Sequence, residues 1–406
     1  MWRQTGEQTY VDVKTTSGVV RGQTIQVLNT TLNVFIGIPY AEPPVGKLRF
    51  AKPEPIKTPI KDIIDATKPK DSCTQNPMQF FPNLTFSENC LYVSIWTTNV
   101  ETNNPSKDVK LKPVMFYIHG GGLSGGSVFS QDISVLATKD VVFASTSYRL
   151  GQLGFLYGDR EDAPGNVGFY DQLLALNWVR DNIHVFGGDR DQITIFGGSA
   201  EFNKYSKAMT YPVLGTDFLP ISAQKAFHEN KFNSDVDIIA GIATNEGSSF
   251  GIFFGVMPFG NTTLDDIKKA INTVNADYHN LDVNKLDEFY LKNIDTTNSL
   301  ALREAFYELL GDLIMKCPTY YFAKQFATSV QNRKNIYFYQ VTYMSKPYAK
   351  QSYCDMPGMG ICHCAETDFV FGQPFITPDI YTEVDRQFSL DVMNMWTNFA
   401  KYGYII

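Results

Sequence analysis

Residues 166–202 place the tightest constraint on how this chain folds. The run NVGFYDQLLALNWVRDNIHVFGG (166–188) sets Leu173, Leu174, Leu176, Trp178, Val179 and Ile183 at helical spacing, which predicts a helix packed along one side. Glycines end it, and QITIF (192–196) follows as a short β-rich run that enters GGSAE directly. A strand that meets so tight a turn and leaves as helix lifts one side chain clear of a sheet, here Ser199. Such a turn usually reads G-x-S-x-G, but Glu201 stands in the place of the second glycine. Taken alone, the stretch reads equally well as a glycine-rich turn with an incidental serine.

Similar alternation runs through the chain. VMFYIHG (114–120), VVFASTSY (141–148), DIIAGI (237–242) and IYFYQVTY (336–343) read as strands, and helices are expected at 264–274, 300–328 and 379–400. Residues 10–50 mix short apolar runs with glycine and threonine before GIPYAEPPVGKLRF, which predicts edge strands and then an ordered loop. Strands alternating with helices predict an α/β class fold with a largely parallel sheet. No internal repeat or linker divides the chain, so residues 1–406 are expected to form a single domain. The stretch GSSFGIFFGVMPFG (247–260) is too aromatic for a linker and reads as pocket lining or core.

Charge and cysteine usage remove several classes of function. A net charge of -7 with 19% charged residues gives no nucleic-acid surface. No run of eighteen apolar residues occurs, so no transmembrane segment is expected, and MWRQTGEQTY is not a signal peptide. The six cysteines form no CxxC pair and HCAE offers one histidine, so no metal is expected. Cys73 and Cys90 flank a loop rich in Pro, Asn and Phe, which suits a disulfide in an oxidising compartment. Sequons at Asn29, Asn83 and Asn261 add minor support for glycosylation and secretion.

Three further pieces accompany Ser199. His119-Gly120-Gly121-Gly122 ends a strand in bare backbone, so Gly121 and Gly122, with the N–H of Ala200, can donate to an oxyanion. No GKS/T or Rossmann spacing follows, which argues against a nucleotide loop and any such cofactor. Of five histidines, His119 belongs to the glycine loop and His184 to the helical region, while His228 and His279 read as surface. His363, in the glycine-punctuated loop DMPGMGICHCAETDFVFG, is the candidate general base. Glu246 follows DIIAGI in the turn ATNEG and is the candidate acid. The order Ser199, Glu246, His363 is that of nucleophile, acid and base in hydrolases of this kind.

Together these segments resemble the type-B carboxylesterase family, which includes the cholinesterases. SCTQ with SENCLYVSIW looks like the family's first disulfide loop, Cys73 to Cys90. YRLGQLGFL (148–156) and the run from Gly165 to Ala200 are similar to the family signature. TDFLP (216–220) resembles the segment before the acid, ATNEG the acid turn, GICHCAETDFVFG the histidine loop and WTNFAKYG (396–403) a late helix. The resemblance implies an α/β-hydrolase fold with a mixed, mostly parallel sheet. It also implies a serine esterase acting on a small-molecule carboxylic ester through an acyl-enzyme, without metal or cofactor, in a secreted or extracellular setting. Cys317, Cys354, Cys362 and Cys364 stay open: one flanking cysteine of His363 pairs with Cys354, or all are free thiols.

Three departures accompany the likeness. Glycine is usual where Glu201 stands, and an acid where Gly198 stands. The family carries a much longer region between elbow and acid turn, and a last strand and helix after the segment that resembles WTNFAKYGYII. These departures predict incomplete cover over the sheet and weakened catalysis. The alternative is an inactive, esterase-like module that works by binding.

Overall fold

The computed structural model describes residues 9–76, 84–100, 110–129, 132–199, 212–278, 281–331 and 333–406. Strands β1 (Thr9–Thr15), β2 (Gly18–Val27) and β3 (Thr30–Pro39) form an antiparallel meander, and β4 (Ile60–Asp65) runs parallel along β2. β5 (Tyr92–Thr97), β6 (Lys112–Ile118), β7 (Val142–Thr146) and β8 (Gly188–Gly197) complete an eight-stranded sheet, ordered β1-β2-β3-β5-β7-β6-β8. β5 is antiparallel to β3 and β7, whereas β6 is parallel to both β7 and β8. The sheet is therefore mixed, with its parallel part on the side that ends at Ser199. Beyond it, β9 (Ile238–Ala243) and β10 (Ile336–Val341) form a separate parallel pair.

Alternation along the strands sorts side chains into two cores. Val114 and Phe116 of β6 face Phe35, Trp178 and Phe186, while Met115 faces Trp96, Phe143, Phe371 and Met393. Helix α1 (Val167–Asn182) covers the first side. Its buried stripe is Asp171, Ala175, Trp178, Val179 and Asn182, spaced for one helical face, and Leu173 is left 45% exposed. Polar residues turn inward because each has a partner. Trp178 Nε1 donates to Ser17 Oγ at 2.9 Å, and Asn182 Oδ1 accepts from the Thr16 N–H at 2.8 Å. Asp171 holds the buried Arg149, as described below.

A third core lies over the acid and base loops. It joins α2 (Leu264–Tyr278) and α3 (Ser299–Gly311) through Ile267, Ile271, Phe306 and Leu310, with Met359 and Cys362 packed on them. The helix expected at 300–328 is interrupted: α3 passes through a π-helical turn at Asp312–Lys316 before α4 (Cys317–Val330). Pro318 lies in the first turn of α4 and has no N–H to return to the preceding turn, and the wider turn accommodates that loss.

Helix α5 (Glu383–Tyr402) starts at a capping box in which Thr382 and Asp385 satisfy each other's backbone N–H groups. It ties the two sheets together. The Trp396 ring meets Phe196 of β8 at 5.6 Å and Tyr339 of β10 at 6.3 Å. Gln192 of β8 donates to the Lys401 carbonyl at 2.6 Å, and Asn335, just before β10, donates to the Gly403 carbonyl at 3.0 Å. Gly241 of β9 makes this reach feasible. A Cβ there would sit 2.2 Å from the Tyr339 ring, which lies across the bare backbone. β8 has no second strand partner among the described residues, and Ile195 on it is 53% exposed.

Two disulfides are present, Cys73–Cys90 and Cys354–Cys362, with Cys317 and Cys364 free. Asn29 is exposed at the turn between β2 and β3 and Asn261 is exposed, while Asn83 lies outside the described residues. His228 is exposed, as expected, and His279 lies outside the described residues.

Candidate active site

The site is built at the C-terminal ends of β8, β9 and β10. β8 ends at Gly197 and the chain turns at once through Ser199, whose φ of 59° is in the left-handed region. A non-glycine residue held there is strained, and the turn that imposes it aims the hydroxyl away from the sheet. Ser199 Oγ lies 2.5 Å from His363 Nε2, and His363 Nδ1 lies 2.5 Å from Glu246 Oε2. Glu246 is 3% exposed and its Oε1 accepts the Ala243 N–H at 2.6 Å. A carboxylate only accepts, so Nδ1 carries the imidazole proton and Nε2 is left to take the serine proton.

Further contacts fix the acid and base loops to each other. Asn245, beside the acid, receives the Ile361 N–H on its side chain at 2.9 Å and donates its own N–H to the Ile361 carbonyl at 2.8 Å. Tyr348 donates its hydroxyl to the His363 carbonyl at 2.7 Å, and the Phe250 ring packs 5.1 Å from the imidazole. The Cys354–Cys362 bridge ends one residue before His363. Asn245 and Tyr348 were not singled out from the sequence, although the asparagine of ATNEG carried a legible signal, a side chain able to bond backbone two ways at a strand end. Phe250 lies in the stretch expected to line a pocket or core, and Cys362 is one of the two cysteines expected to pair with Cys354.

Burial alone would push the His363 pKa down. The Cys364 sulfur beside it and the Glu246 carboxylate outweigh burial and hold it well above 6.5. A protonated imidazole cannot accept the serine proton, so activity is present above this raised pKa and lost as pH falls through it. The acid limb of kcat/KM against pH is therefore expected to have its midpoint above 6.5, and Cys364→Gly should move that midpoint down. A pH profile of both proteins checks it; coincident limbs would show that Cys364 has no part in the shift.

The glycine loop sits against the elbow. A Cβ on Gly120 would lie 2.1 Å from the Gly198 carbonyl, so only glycine allows the approach. His119 is structural: its ring stacks on Tyr148 at 4.5 Å, Tyr148 donates to the His119 carbonyl at 2.7 Å, and burial pushes its pKa down to about 4. The N–H groups of Gly121 and Gly122 both donate to the Ser199 main-chain carbonyl, at 3.0 and 3.3 Å. Ala200 and Glu201 lie outside the described residues.

A family model described as the carboxylesterase family matches residues 8–200 and 201–404. The chain belongs to the carboxylesterase family. It is 30% identical to the cholinesterase of Mus musculus over 492 positions, covering 97% of this chain and 79% of that protein. It is 28% identical to the acetylcholinesterase of Leptinotarsa decemlineata, covering 96% and 78%, and 29% identical to acetylcholinesterase-1 of Trittame loki, covering 90% and 81%. This carboxylesterase is thus a serine hydrolase of the carboxylesterase type with an α/β-hydrolase fold. The alignment to the mouse protein runs over more positions than this chain of 406 residues supplies, so that relative carries internal residues without counterpart here. The family match divides between residues 200 and 201, one residue beyond Ser199.

Proposed function

We propose that the protein hydrolyses small carboxylic esters through an acyl-enzyme formed on Ser199. The observation that carries this reading is the unbroken hydrogen-bonded chain from Ser199 Oγ through His363 to Glu246. In this mechanism Oγ attacks the ester carbonyl while His363 Nε2 takes its proton, then returns it to the leaving alcohol. Glu246 keeps the proton on Nδ1 and steadies the imidazolium. Backbone N–H groups of Gly121, Gly122 and Ala200 meet the tetrahedral oxyanion. Water then repeats the cycle on the acyl-enzyme.

Uncharged esters fit better than choline esters. The loop between Cys73 and Cys90 contains Phe80, Phe81 and Phe86 but no tryptophan, and a quaternary ammonium is held best by a tryptophan face. Residues 1–406 act as one domain in this reading, because Ser199 and His363 stand 164 positions apart and meet in one site. An extracellular setting is supported by two disulfides, which persist in oxidising compartments. No described helix is long and apolar enough to cross a membrane.

The test is hydrolysis of p-nitrophenyl acetate and butyrate against acetylthiocholine, with fluorophosphonate labelling mapped by mass spectrometry. Hydrolysis of the aryl esters with the adduct on Ser199 is expected. Folded protein that neither turns over an ester nor takes the label would end the esterase reading in favour of a noncatalytic module.

A further inference from the structure

His363 is carried on a tight turn. The Ala365 N–H returns to the Cys362 carbonyl at 3.2 Å, so His363 and Cys364 are its two central residues. Cys364 has a φ of 63°, whereas the φ of His363 is negative. A negative φ followed by a positive one at the centre marks a type II turn. In that form the carbonyl between the two residues crowds the Cβ of the second, which is why glycine is favoured there. A cysteine prefers the type I form, in which the central peptide is turned over and its own φ is negative. The bond that closes the turn is common to both forms, so it does not choose between them.

The ends of the turn are fixed. Ile361 is bonded twice to Asn245, Cys362 is bridged to Cys354, and the Thr367 N–H donates to the Cys364 carbonyl at 3.0 Å. The choice is left to the central peptide, and its carbonyl is gripped by Tyr348, whose hydroxyl donates to it at 2.7 Å. Tyr348 is itself anchored. It lies on a short helix, Lys346–Gln351, and the N-cap Ser345 accepts its N–H at 3.1 Å. Past that helix the Cys354 N–H donates to the Ala349 carbonyl at 2.7 Å, and the bridge to Cys362 leads back into the turn. Burial holds the Tyr348 pKa well above 10, so the hydroxyl keeps a proton to donate at neutral pH.

We infer that Tyr348 is a positioning residue for the base: its hydroxyl holds the His363–Cys364 peptide in the type II orientation that Cys364 by itself disfavours. The inference rests on the esterase reading above and adds a residue to it. Turning the peptide over changes the ψ of His363 and swings the Cys364 side chain to a new place. The imidazole is held at 2.5 Å on both sides, by Ser199 Oγ and Glu246 Oε2, and a small displacement breaks one of those contacts.

The test is kcat and KM for p-nitrophenyl acetate, measured above the acid limb of the pH profile. Tyr348→Phe should lower kcat about tenfold and leave KM within about twofold, because fewer molecules hold the working turn while the pocket is untouched. Cys364→Gly should rescue it: glycine favours type II without help, so adding Tyr348→Phe to it costs less than about twofold. Cys364→Ala removes the sulfur but keeps the Cβ, so in that background the loss stays near tenfold, on the order seen in the parent. No loss in the parent, or equal losses in the glycine and alanine backgrounds, overturns the inference and leaves the esterase reading intact. A parent that turns over no ester ends the esterase reading instead. The turn is then judged from a crystal structure of Tyr348→Phe, where a negative φ at Cys364 supports the latch and an unchanged turn overturns it.

Discussion

Glu246→Gln is expected to lower kcat for p-nitrophenyl acetate by about 10⁴-fold with little change in KM, and Ser199→Ala by about 10⁶-fold. The glutamine result follows from two bonds that pull in opposite senses. One oxygen of Glu246 accepts the Ala243 N–H at 2.6 Å and the other faces His363 Nδ1 at 2.5 Å. Both partners need an acceptor, and an amide has one. If its oxygen stays on Ala243, the NH₂ faces Nδ1 and forces the ring proton onto Nε2, which can then no longer take the proton of Ser199. If the amide turns over, the NH₂ meets a buried N–H donor and the acid turn is pushed open. The first arrangement takes the base out of its working tautomer and the second distorts the turn that holds it, both without loss of a side chain. Ser199→Ala removes the attacking atom, and adding His363→Ala to it should cost almost nothing more, because the three groups act as a unit. Steady-state rates on the single and double variants check both statements. A Glu246→Gln rate within tenfold of the parent would mean that the carboxylate neither fixes the tautomer nor stabilises the imidazolium.

Asp171→Asn should destabilise the fold by about 3–5 kcal/mol. Asp171 is fully buried and Arg149 is 2% exposed. The carboxylate receives Arg149 Nε at 2.8 Å, Nη2 at 2.7 Å and the Arg149 backbone N–H at 3.0 Å. The remaining guanidinium nitrogen, Nη1, donates to the carbonyls of Leu48, Arg49 and Ala51. This one pair therefore joins the end of β7, the start of α1 and the loop GIPYAEPPVGKLRF. Asparagine leaves the arginine charged in a buried site, and that uncompensated charge dominates the cost. Urea unfolding should show a lower midpoint with an unchanged slope. The double variant Arg149→Met/Asp171→Leu should recover part of the loss, with the three freed carbonyls limiting the recovery. A single variant as stable as the parent would mean that the pair is hydrated.

The chain's own pattern located the strands and turns that carry the site, while β4 and β5 went unassigned. Strand ends marked by glycine or by a short turn located Gly121, Ser199 and Glu246, because a β-run that stops abruptly is visible in a window of a few residues. His363 stood out by elimination among five histidines, in a loop punctuated by glycines. Helix α1 was legible as a helix, but its rotation was not. Hydrophobic spacing favoured Leu173 as a core residue, whereas the buried stripe runs through Asp171 and Asn182, since each polar group found a partner from distant chain. The π-helical turn before α4 hinged on a single proline inside an otherwise continuous pattern.

Tertiary structure alone decided the pairings that link distant segments. Cys354 joined Cys362 and left Cys364 free beside the base, a choice that depends on which sulfurs the folded loop brings within bonding range. Asn245 met Ile361 across 116 positions, closing the acid turn on the base loop. Most consequential is the direction of one carbonyl. HGGG and GGSAE announced backbone donors near a serine, but whether those donors face an open hole or the Ser199 oxygen depends on one main-chain torsion. A torsion is set by the packing of the loop against the elbow, and residue identity does not record it.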